Sequence, residues 1–397
     1  MTPKHFFLFA LSSLGAVAVL AACGDDVSIP ATDAGTDATT GDAASDAPKD
    51  SPSDAQGDGG ADAADAADAA PTPHVSTVVS FNPATGQLPE NVVIHKGVTY
   101  VSFAPSGQIV TVDNLGNVAP FATVPLAAPP GSNFLLGFDF DSSDNIFVAV
   151  AAVPSPTPNL AALAAAGVWR IPAGGTVDAG TATLIYTASG SSLKFANDVA
   201  IDPAGANIYI TDSNDGAVYK AAISSVAGVI NTPWIQDPLI AGDLGGDAGV
   251  TCTNRPGAGF PVGANDISIE GSVVYVSNTD KGSLVQIPIN ANGSAGAAAN
   301  VFQDCQLKGF DGFDHNMTDS SWRAAVNSSN TINRVRVIGG TATVTTIASG
   351  HPPFDFPDSI IRVPDAAVFE TFLVTNGAYF TPADAGQAPS LLKIVIQ

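Results

Sequence analysis

Basic residues are scarce in this sequence. It has 14 lysines and arginines against 37 aspartates and glutamates, and its formal net charge is −23. Without a basic stripe the chain cannot neutralise a nucleic-acid backbone, so we expect no nucleic-acid partner. The sequence also lacks a G-x-S-x-G elbow, an H-E-x-x-H pair and a G-x-x-x-x-G-K-[ST] phosphate loop. Serine-hydrolase, zincin and nucleoside-triphosphatase mechanisms built on those motifs are therefore without support.

Long apolar runs are absent except at the start of the chain. Residues 6–22, "FFLFALSSLGAVAVLAA", follow Lys4 and end directly before Cys23. A basic residue, an apolar core and small residues before a cleavage point are typical of a secretory signal peptide. Because "LAAC" resembles the lipobox of bacterial lipoproteins, we predict a signal peptide over residues 1–22 and lipidation of Cys23. Gly24 is not the aspartate that retains some lipoproteins in the inner membrane, so within the bacterial envelope we expect the outer membrane or the cell surface.

Residues 23–73 have a different composition from the rest of the chain. Residues 24–70 contain twelve aspartates and one lysine, and "ADAADAADAA" repeats every three residues. This segment has no aromatic residue and cannot bury enough apolar surface to offset its ordering entropy, so we predict a disordered tether. No later stretch approaches the roughly 18 apolar residues of a membrane span. The lipid on Cys23 is therefore the only membrane attachment that the sequence predicts.

Residues 74–397 repeat a short pattern in which an oxygen-bearing side chain precedes an apolar strand. The copies begin at Glu90, Leu136, Asn197, Asn265, Asp311 and Asp358, where only Leu136 breaks the rule. They are spaced by about 46 residues, or by more where the insertion "VPSPTPNLAALAAAG" and the loop 224–262 intervene. Short strands at this period are typical of four-stranded blades. Six copies predict an all-β, six-bladed β-propeller over residues 74–397, in which only "NLAALAAAG" is helical.

The last copy is too short to form four strands by itself. After Asp358, "FLVTN" and "SLLKIVIQ" provide strands, but the outermost strand is missing. We predict that the N-terminal run "HVSTVVSF" (residues 74–81) supplies this strand. Its pairing with the last blade would close the ring and cover the exposed sheet edges.

The repeated oxygen-bearing side chains are expected to meet on the propeller axis. The innermost strand of each blade lines the channel, which places Glu90, Asn197, Asn265, Asp311 and Asp358 at one mouth. Carboxylates and amide oxygens gathered there need a partner, and a flexible oxygen cage suits Ca²⁺ better than Mg²⁺. Alternatively, Asn and Asp only cap the turn before each strand, although capping explains the glutamate poorly.

The order of these residues resembles that of the regucalcin, gluconolactonase and paraoxonase-like six-bladed propellers. The similarity covers residues 74–397, and its most specific parts are "NDVAIDPAG" (197–205) and "FDGFD" (310–314). It implies a divalent cation, usually Ca²⁺, held by Glu90, Asn265 and Asp311, with Asn197 close enough to contact the metal or the substrate. It further implies hydrolysis of a lactone or ester, with the metal polarising the carbonyl. Asp311 would then serve as general base, and Asp358 is a second candidate.

Two positions depart from this family. Its sugar lactonases have an arginine two residues before the third-blade asparagine, where this chain has Phe195, with Lys194 one residue further back. This difference argues against a gluconate-like substrate. Leu136, in the second blade, supplies no ligand.

Two cysteines remain once Cys23 is lipidated, namely Cys252 and Cys305. Outside the cytoplasm such a pair is expected to form a disulfide. The bond would clamp the loop 224–262 over the predicted metal site.

Three functional hypotheses stay open, because the fold alone does not decide among them. The first is an envelope-anchored, Ca²⁺-dependent hydrolase of a lactone or ester. The second is a non-catalytic, NHL-like propeller that binds a carbohydrate or a protein and uses the metal structurally. The third is a strictosidine-synthase-like scaffold without metal. In each case we expect a monomer.

Overall fold

Sheets of mostly antiparallel strands surround a central channel in the computed structural model. The structure describes residues 73–129, 131–155, 159–175, 177, 181–223, 228–243, 260–364, 369–382 and 386–396. The predicted signal peptide, Cys23 and nearly all of the predicted tether lie outside these ranges. Within the described residues, no helix has the length and apolarity that a membrane span requires.

The described strands are short and follow one another along the chain. In order they are β1 (His74–Ser80), β2 (Pro89–His95), β3 (Val98–Phe103), β4 (Gln108–Val112), β5 (Val118–Thr123), β6 (Asn133–Phe140), β7 (Ile146–Ala152), β8 (Gly167–Ile171), β9 (Thr183–Thr187), β10 (Ala196–Ile201), β11 (Asn207–Asp212), β12 (Ala217–Ala222) and β13 (Gly228–Val229). They continue with β14 (Ile235–Gln236), β15 (Ala264–Glu270), β16 (Val273–Asn278), β17 (Ser283–Pro288), β18 (Ala299–Gln303), β19 (Phe310–Asn316), β20 (Ser321–Val326), β21 (Thr331–Ile338), β22 (Thr341–Ser349), β23 (Pro357–Arg362), β24 (Glu370–Asn376) and β25 (Ser390–Ile396). The helix α1 (Leu160–Ala165) begins after Asn159, whose side chain caps it, and lies within the predicted helical stretch. Short 3₁₀ turns span Pro83–Thr85, Cys305–Leu307 and Asn327–Ser329.

The described strands form six sheets, which confirms the predicted six-bladed propeller. The innermost strands are β2, β6, β10, β15, β19 and β23, and each contacts the next around a closed ring. Apolar side chains fill the layers between facing sheets. Phe372 and Ile360 of the sixth blade, for example, pack on Ile332 and Ala325 of the fifth. Fully burying one such large apolar side chain contributes about 1.5–3 kcal/mol, so these layers hold the blades together.

The N-terminal strand closes the ring, as predicted. β1 pairs antiparallel with β25, with His74 opposite Val395 and Ser80 opposite Ser390. Side chains of the last blade also reach the first. The Thr375 hydroxyl donates to the Glu90 carbonyl over 2.7 Å. These contacts join the two ends of the described chain.

The Thr375 contact yields a testable prediction for closure. Thr375 is fully buried, and its hydroxyl also accepts the Ser359 N–H over 2.9 Å. Replacing Thr375 by valine leaves that N–H and the Glu90 carbonyl unpaired, so we expect the free energy of unfolding to fall by about 2 kcal/mol. Chemical denaturation measures this change. Thr371→Val, in the same strand, removes only a 3.4 Å bond and should cost clearly less; equal losses in the two variants would contradict the role of Thr375 in closure.

One sequence prediction about the third blade was wrong. Residues 224–262 were expected to be a loop, but this segment contains β13 and β14. The strand β14 pairs with β12 as the outer strand of the third blade, and β13 pairs in parallel with β9 of the second. Free strand edges need partners for their backbone groups, and this segment provides them. Residues 244–259 lie outside the described part of the chain.

Each inner strand carries a register shift at the same place. The shifts fall between Pro89 and Val92 in the first blade, and between the equivalent residues in the other five. Two consecutive residues per blade lie inside this bulge. The first bulge residue of every blade belongs to a set that we call the first ring: Glu90, Leu136, Asn197, Asn265, Asp311 and Asp358. The second bulge residue of every blade belongs to the second ring: Asn91, Gly137, Asp198, Asp266, Gly312 and Ser359.

Candidate functional site

The structure brings the four predicted metal ligands to one cavity at the mouth of the channel. Glu90, Asn197, Asn265 and Asp311 line it together with second-ring residues. The cavity is small: the centre of a water molecule can occupy a volume of only about 10 Å³ inside it. It therefore has room for about one water or one ion. Four of the six first-ring residues therefore share one small polar site, whereas Leu136 and Asp358 do not line it.

The two asparagines are oriented by hydroxyl groups of neighbouring strands. The Ser213 hydroxyl donates to the Ala264 carbonyl over 2.6 Å, so it can only accept from Asn197 Nδ2, at 2.7 Å. Asn265 Nδ2 similarly donates to Thr279 Oγ1 over 2.8 Å. Because each amide nitrogen is engaged in this way, each amide oxygen is left available as a ligand.

The carboxylates of the mouth include oxygen atoms without a hydrogen-bond partner. Glu90 Oε2 and Asp358 Oδ2 are buried and have no such partner among the described residues. Asp311 Oδ2 accepts from Asn327 Nδ2 over 2.8 Å, which fixes its direction. Unpaired buried carboxylate oxygens are costly, so this arrangement calls for a proton or a cation.

Burial and mutual repulsion hold these acids away from their ordinary titration range. Burial, followed by the charge of Asp311, raises the pKa of both Glu90 and Asp358 well above the usual value. The charge of Glu90 raises the pKa of Asp358 further, since both lie at the same mouth. Carboxyl groups with such perturbed pKa values in a cleft mark a candidate functional site.

Two further carboxylates, Asp198 and Asp266, line the cavity and were missed as site residues. Asp198 Oδ2 accepts the N–H of Ile267 in the next blade over 3.2 Å, and Asp266 Oδ2 accepts that of Phe313 over 2.7 Å. Burial is the first cause that raises the pKa of each aspartate. Each aspartate therefore accepts a backbone hydrogen bond from the inner strand of the next blade. The sequence signal for them is the second residue of the two "ND" pairs, at 197–198 and 265–266.

One side of the mouth is apolar. Leu136, Phe195 and Phe260 pack together there with Tyr379, and the rings of Phe195 and Phe260 lie 5.6 Å apart. Tyr379 Oη donates to the Pro89 carbonyl over 3.1 Å, and burial, followed by the charge of Asp358, raises its pKa well above the usual value. The mouth is therefore oxygen-rich on one side and aromatic on the other.

The donor set fits a hard cation such as Ca²⁺. Every donor is an oxygen, two of the nearby carboxylate oxygens are unpaired, and the cavity has room for one ion. Within the described residues, no three His, Cys, Asp or Glu side chains are close enough to form a metal site by themselves. The predicted set has only two carboxylates and takes its other oxygens from Asn197 and Asn265. Amide oxygens are ordinary Ca²⁺ ligands.

The raised pKa values predict how the stability of the metal-free protein depends on pH. As pH rises above about 4, the unfolded chain releases its carboxyl protons while folded Glu90 and Asp358 retain theirs. Stability should therefore fall toward pH 8, by up to about 1.4 kcal/mol per pH unit for each group until its folded pKa is reached. Carboxyls whose pKa is lowered, such as Asp202, act in the opposite direction but only below about pH 4. Urea denaturation in chelator tests this; a stability that is constant or rises from pH 5 to 8 would contradict it.

Two histidines, His315 and His351, and the predicted disulfide residue Cys305 do not line the cavity. His315 stacks on Trp322 with ring centroids 3.8 Å apart and contacts Glu270 over 2.9 Å, which is a structural role. His351 is exposed, and its Nδ1 lies 2.8 Å from the Phe354 carbonyl oxygen. Cys305 begins a 3₁₀ turn, but its predicted partner Cys252 lies outside the described residues. The pairing of these two cysteines stays a prediction.

Comparison with known proteins shows the fold. No protein-family model matches the chain, and no curated protein matches it. An auxiliary nutrient binding protein from Bacteroides ovatus is 12% identical with a TM-score of 0.54, over 82% of this chain and 77% of that one. The PQQ-bound aldose sugar dehydrogenase from Streptomyces coelicolor is 13% identical with a TM-score of 0.52, over 83% and 100%. A putative oxidoreductase (glucose dehydrogenase) from Thermus thermophilus is 13% identical with a TM-score of 0.51, over 81% and 99%. The chain is thus similar in fold to six-bladed propellers that include both enzymes and binding proteins.

Proposed function

We propose that the channel mouth binds Ca²⁺ and that the protein is a metal-dependent hydrolase of a lactone or a related small ester. The observation that carries this proposal is the convergence of Glu90, Asn197, Asn265 and Asp311 on one ion-sized cavity beside unpaired carboxylate oxygens. When bound there, the cation would act as a Lewis acid on a substrate carbonyl.

The chain's own residues have separable roles in this proposal. Glu90, Asn197, Asn265 and Asp311 hold the ion. Asp311 is also the first candidate for general base, since Asn327 fixes the direction of its side chain. Asp358 is the second candidate: its Oδ2 has no hydrogen-bond partner among the described residues, and burial raises its pKa, which makes its carboxylate a stronger base.

The aromatic side of the mouth bears on the substrate. Phe195 is buried against Phe260, at the position where the similar sugar lactonases have an arginine. An apolar side chain there cannot bind sugar hydroxyls, so a polyhydroxylated lactone of the gluconate type is disfavoured. An ester or lactone that places an apolar group beside its carbonyl fits this mouth better.

A second candidate is a non-catalytic propeller that binds a carbohydrate or a protein, with the cation structural only. The small size of the cavity favours it, because the cavity leaves room for one ion and not for a substrate. Two of the solved structures with similar folds are nutrient binding proteins from Bacteroides species. In both cases we propose a lipid-anchored envelope protein that acts as a monomer.

Turnover of a panel of lactones and carboxylic esters, with Ca²⁺ or with chelator, separates the two candidates. The hydrolase proposal predicts activity that needs Ca²⁺ and is lost in Asp311→Asn. Asp113→Asn makes the same charge change at an exposed position and should leave activity intact. Tight Ca²⁺ binding without turnover of any panel member would reject the hydrolase and leave the binding propeller.

A further inference from the structure

Exposed apolar side chains gather at the end of the propeller opposite the cavity, which we call the far face. In the first blade, His95 pairs with Val98 and Val112 with Val118, so both hairpins turn there. In the fifth blade, Asn316 pairs with Ser321 and Ile338 with Thr341, so both hairpins also turn at this end. The exposed residues of these turns and of the sixth blade are Val98 (40% exposed), Leu115 (87%), Val118 (39%), Met317 (74%), Ile338 (76%) and Phe369 (43%).

These six side chains belong to three neighbouring blades. The inner strand of the sixth blade, β23, contacts β2 of the first blade on one side and β19 of the fifth on the other. The apolar residues therefore follow one arc of the far face. Single exposed apolar residues are ordinary, whereas several on adjacent loops indicate a contact surface.

The chain enters the propeller in the middle of this arc. His74, the first residue of β1, pairs with Val395 at the far end of the sixth blade. Glu370, which follows exposed Phe369, pairs with Ile396 at the same level. About 50 residues upstream of His74 lies Cys23, the predicted lipidation site. The predicted membrane attachment would therefore join the protein at the face that carries the apolar arc, which is the end away from the cavity.

We propose that the far face of blades five, six and one docks on the lipid bilayer that holds the anchor, with Leu115, Met317, Ile338 and Phe369 entering its interfacial region. A lipid anchor keeps the protein near the bilayer at high effective concentration, so a modest apolar contact is enough for docking. The cavity mouth then faces away from the membrane and toward soluble ligands. This orientation holds whichever function the cavity has.

Quenching of tryptophan fluorescence by brominated lipids tests the docking. The lipidated full chain is reconstituted in phosphatidylcholine vesicles with brominated acyl chains, as Ile338→Trp and, separately, Leu160→Trp. The two positions are matched, since Ile338 is 76% and Leu160 77% exposed, but Leu160 lies in α1 on the cavity side of the second blade. The native Trp169, Trp234 and Trp322 provide the same background in both proteins.

Docking predicts that the added indole of Ile338→Trp is quenched and that of Leu160→Trp is not. Adding Leu115→Asp and Met317→Asp to Ile338→Trp should abolish the quenching, while the protein still co-sediments with the vesicles through its lipid. Co-sedimentation therefore reports lipidation separately from docking. Two results would overturn the proposal: co-sedimentation without quenching of Ile338→Trp, or equal quenching at both positions. Co-sedimentation without quenching is also the result expected if the apolar arc binds a protein.

Discussion

Glu90→Gln is expected to make the metal-free protein more stable at pH 8 and to weaken its Ca²⁺ binding by about 100-fold or more. Glu90 is 9% exposed, and its neighbours Asp311 and Asp266 oppose its charge. Glutamine keeps the shape of the side chain without the charge, so the free energy of unfolding should rise by on the order of 1–2 kcal/mol. The same change removes a carboxylate ligand. Even residues that only support metal ligands cost about 10–100-fold in affinity when they are replaced.

Thermal denaturation in chelator and in excess Ca²⁺ measures both effects. In the wild type, Ca²⁺ should raise the melting temperature, whereas in Glu90→Gln it should have little effect. Glu270→Gln is the matched control, because Glu270 ends β15 on the far face and pairs with His315. It should neither stabilise the metal-free protein nor change the response to Ca²⁺. A Glu90→Gln protein that is destabilised in chelator and keeps the response would contradict the assignment.

Gly137→Ala is expected to destabilise the protein by about 3 kcal/mol or more and to disturb the cavity. A β-carbon at Gly137 would lie 1.7 Å from Asp198 Oδ1 and 2.3 Å from its Cγ. Asp198 cannot yield freely, because its carboxylate accepts the N–H groups of Val199 and Ile267. The substitution therefore combines overpacking with the loss of a buried hydrogen bond.

Chemical denaturation and Ca²⁺ titration of this variant measure the two consequences. Gly97→Ala serves as the control, because a β-carbon there meets nothing within 4 Å although φ is +79°. It should cost only the backbone strain, about 1 kcal/mol, and leave Ca²⁺ binding unchanged. If Gly137→Ala were no more destabilising than Gly97→Ala, the result would contradict the close contact between Gly137 and Asp198 in the second ring.

The propeller could be predicted because local sequence patterns are enough to recognise its repeat. Short apolar strands, turn residues and a period of about 46 residues fix the number of blades, and the shortfall after Asp358 indicates that β1 completes the last one. The alignment also placed Leu136 correctly in the first ring, although it has no oxygen. Each of these inferences uses only residues that are close together in the sequence or repeat at a fixed spacing.

The features that the sequence did not predict depend on contacts between residues far apart in the chain. The pairing of Asp198 with Ile267 joins residues 69 positions apart, and that of Asp266 with Phe313 joins residues 47 apart. Nothing local distinguishes such an aspartate from one that caps a turn. The burial of Tyr379 against the first blade is equally non-local, since its partner carbonyl belongs to Pro89. The strands β13 and β14 have only two residues each, too few for a recognisable alternation.

Calorimetric titration of the metal-free protein with Ca²⁺, beside Asp311→Ala, tests whether the channel mouth binds a cation. We expect the wild type to bind one Ca²⁺ in the channel mouth and the variant to lose this binding while it stays folded. An absence of binding by the folded wild type would contradict the cation site and the hydrolase built on it. The first-ring carboxylates and amides would then be structural caps at the bulges of the inner strands.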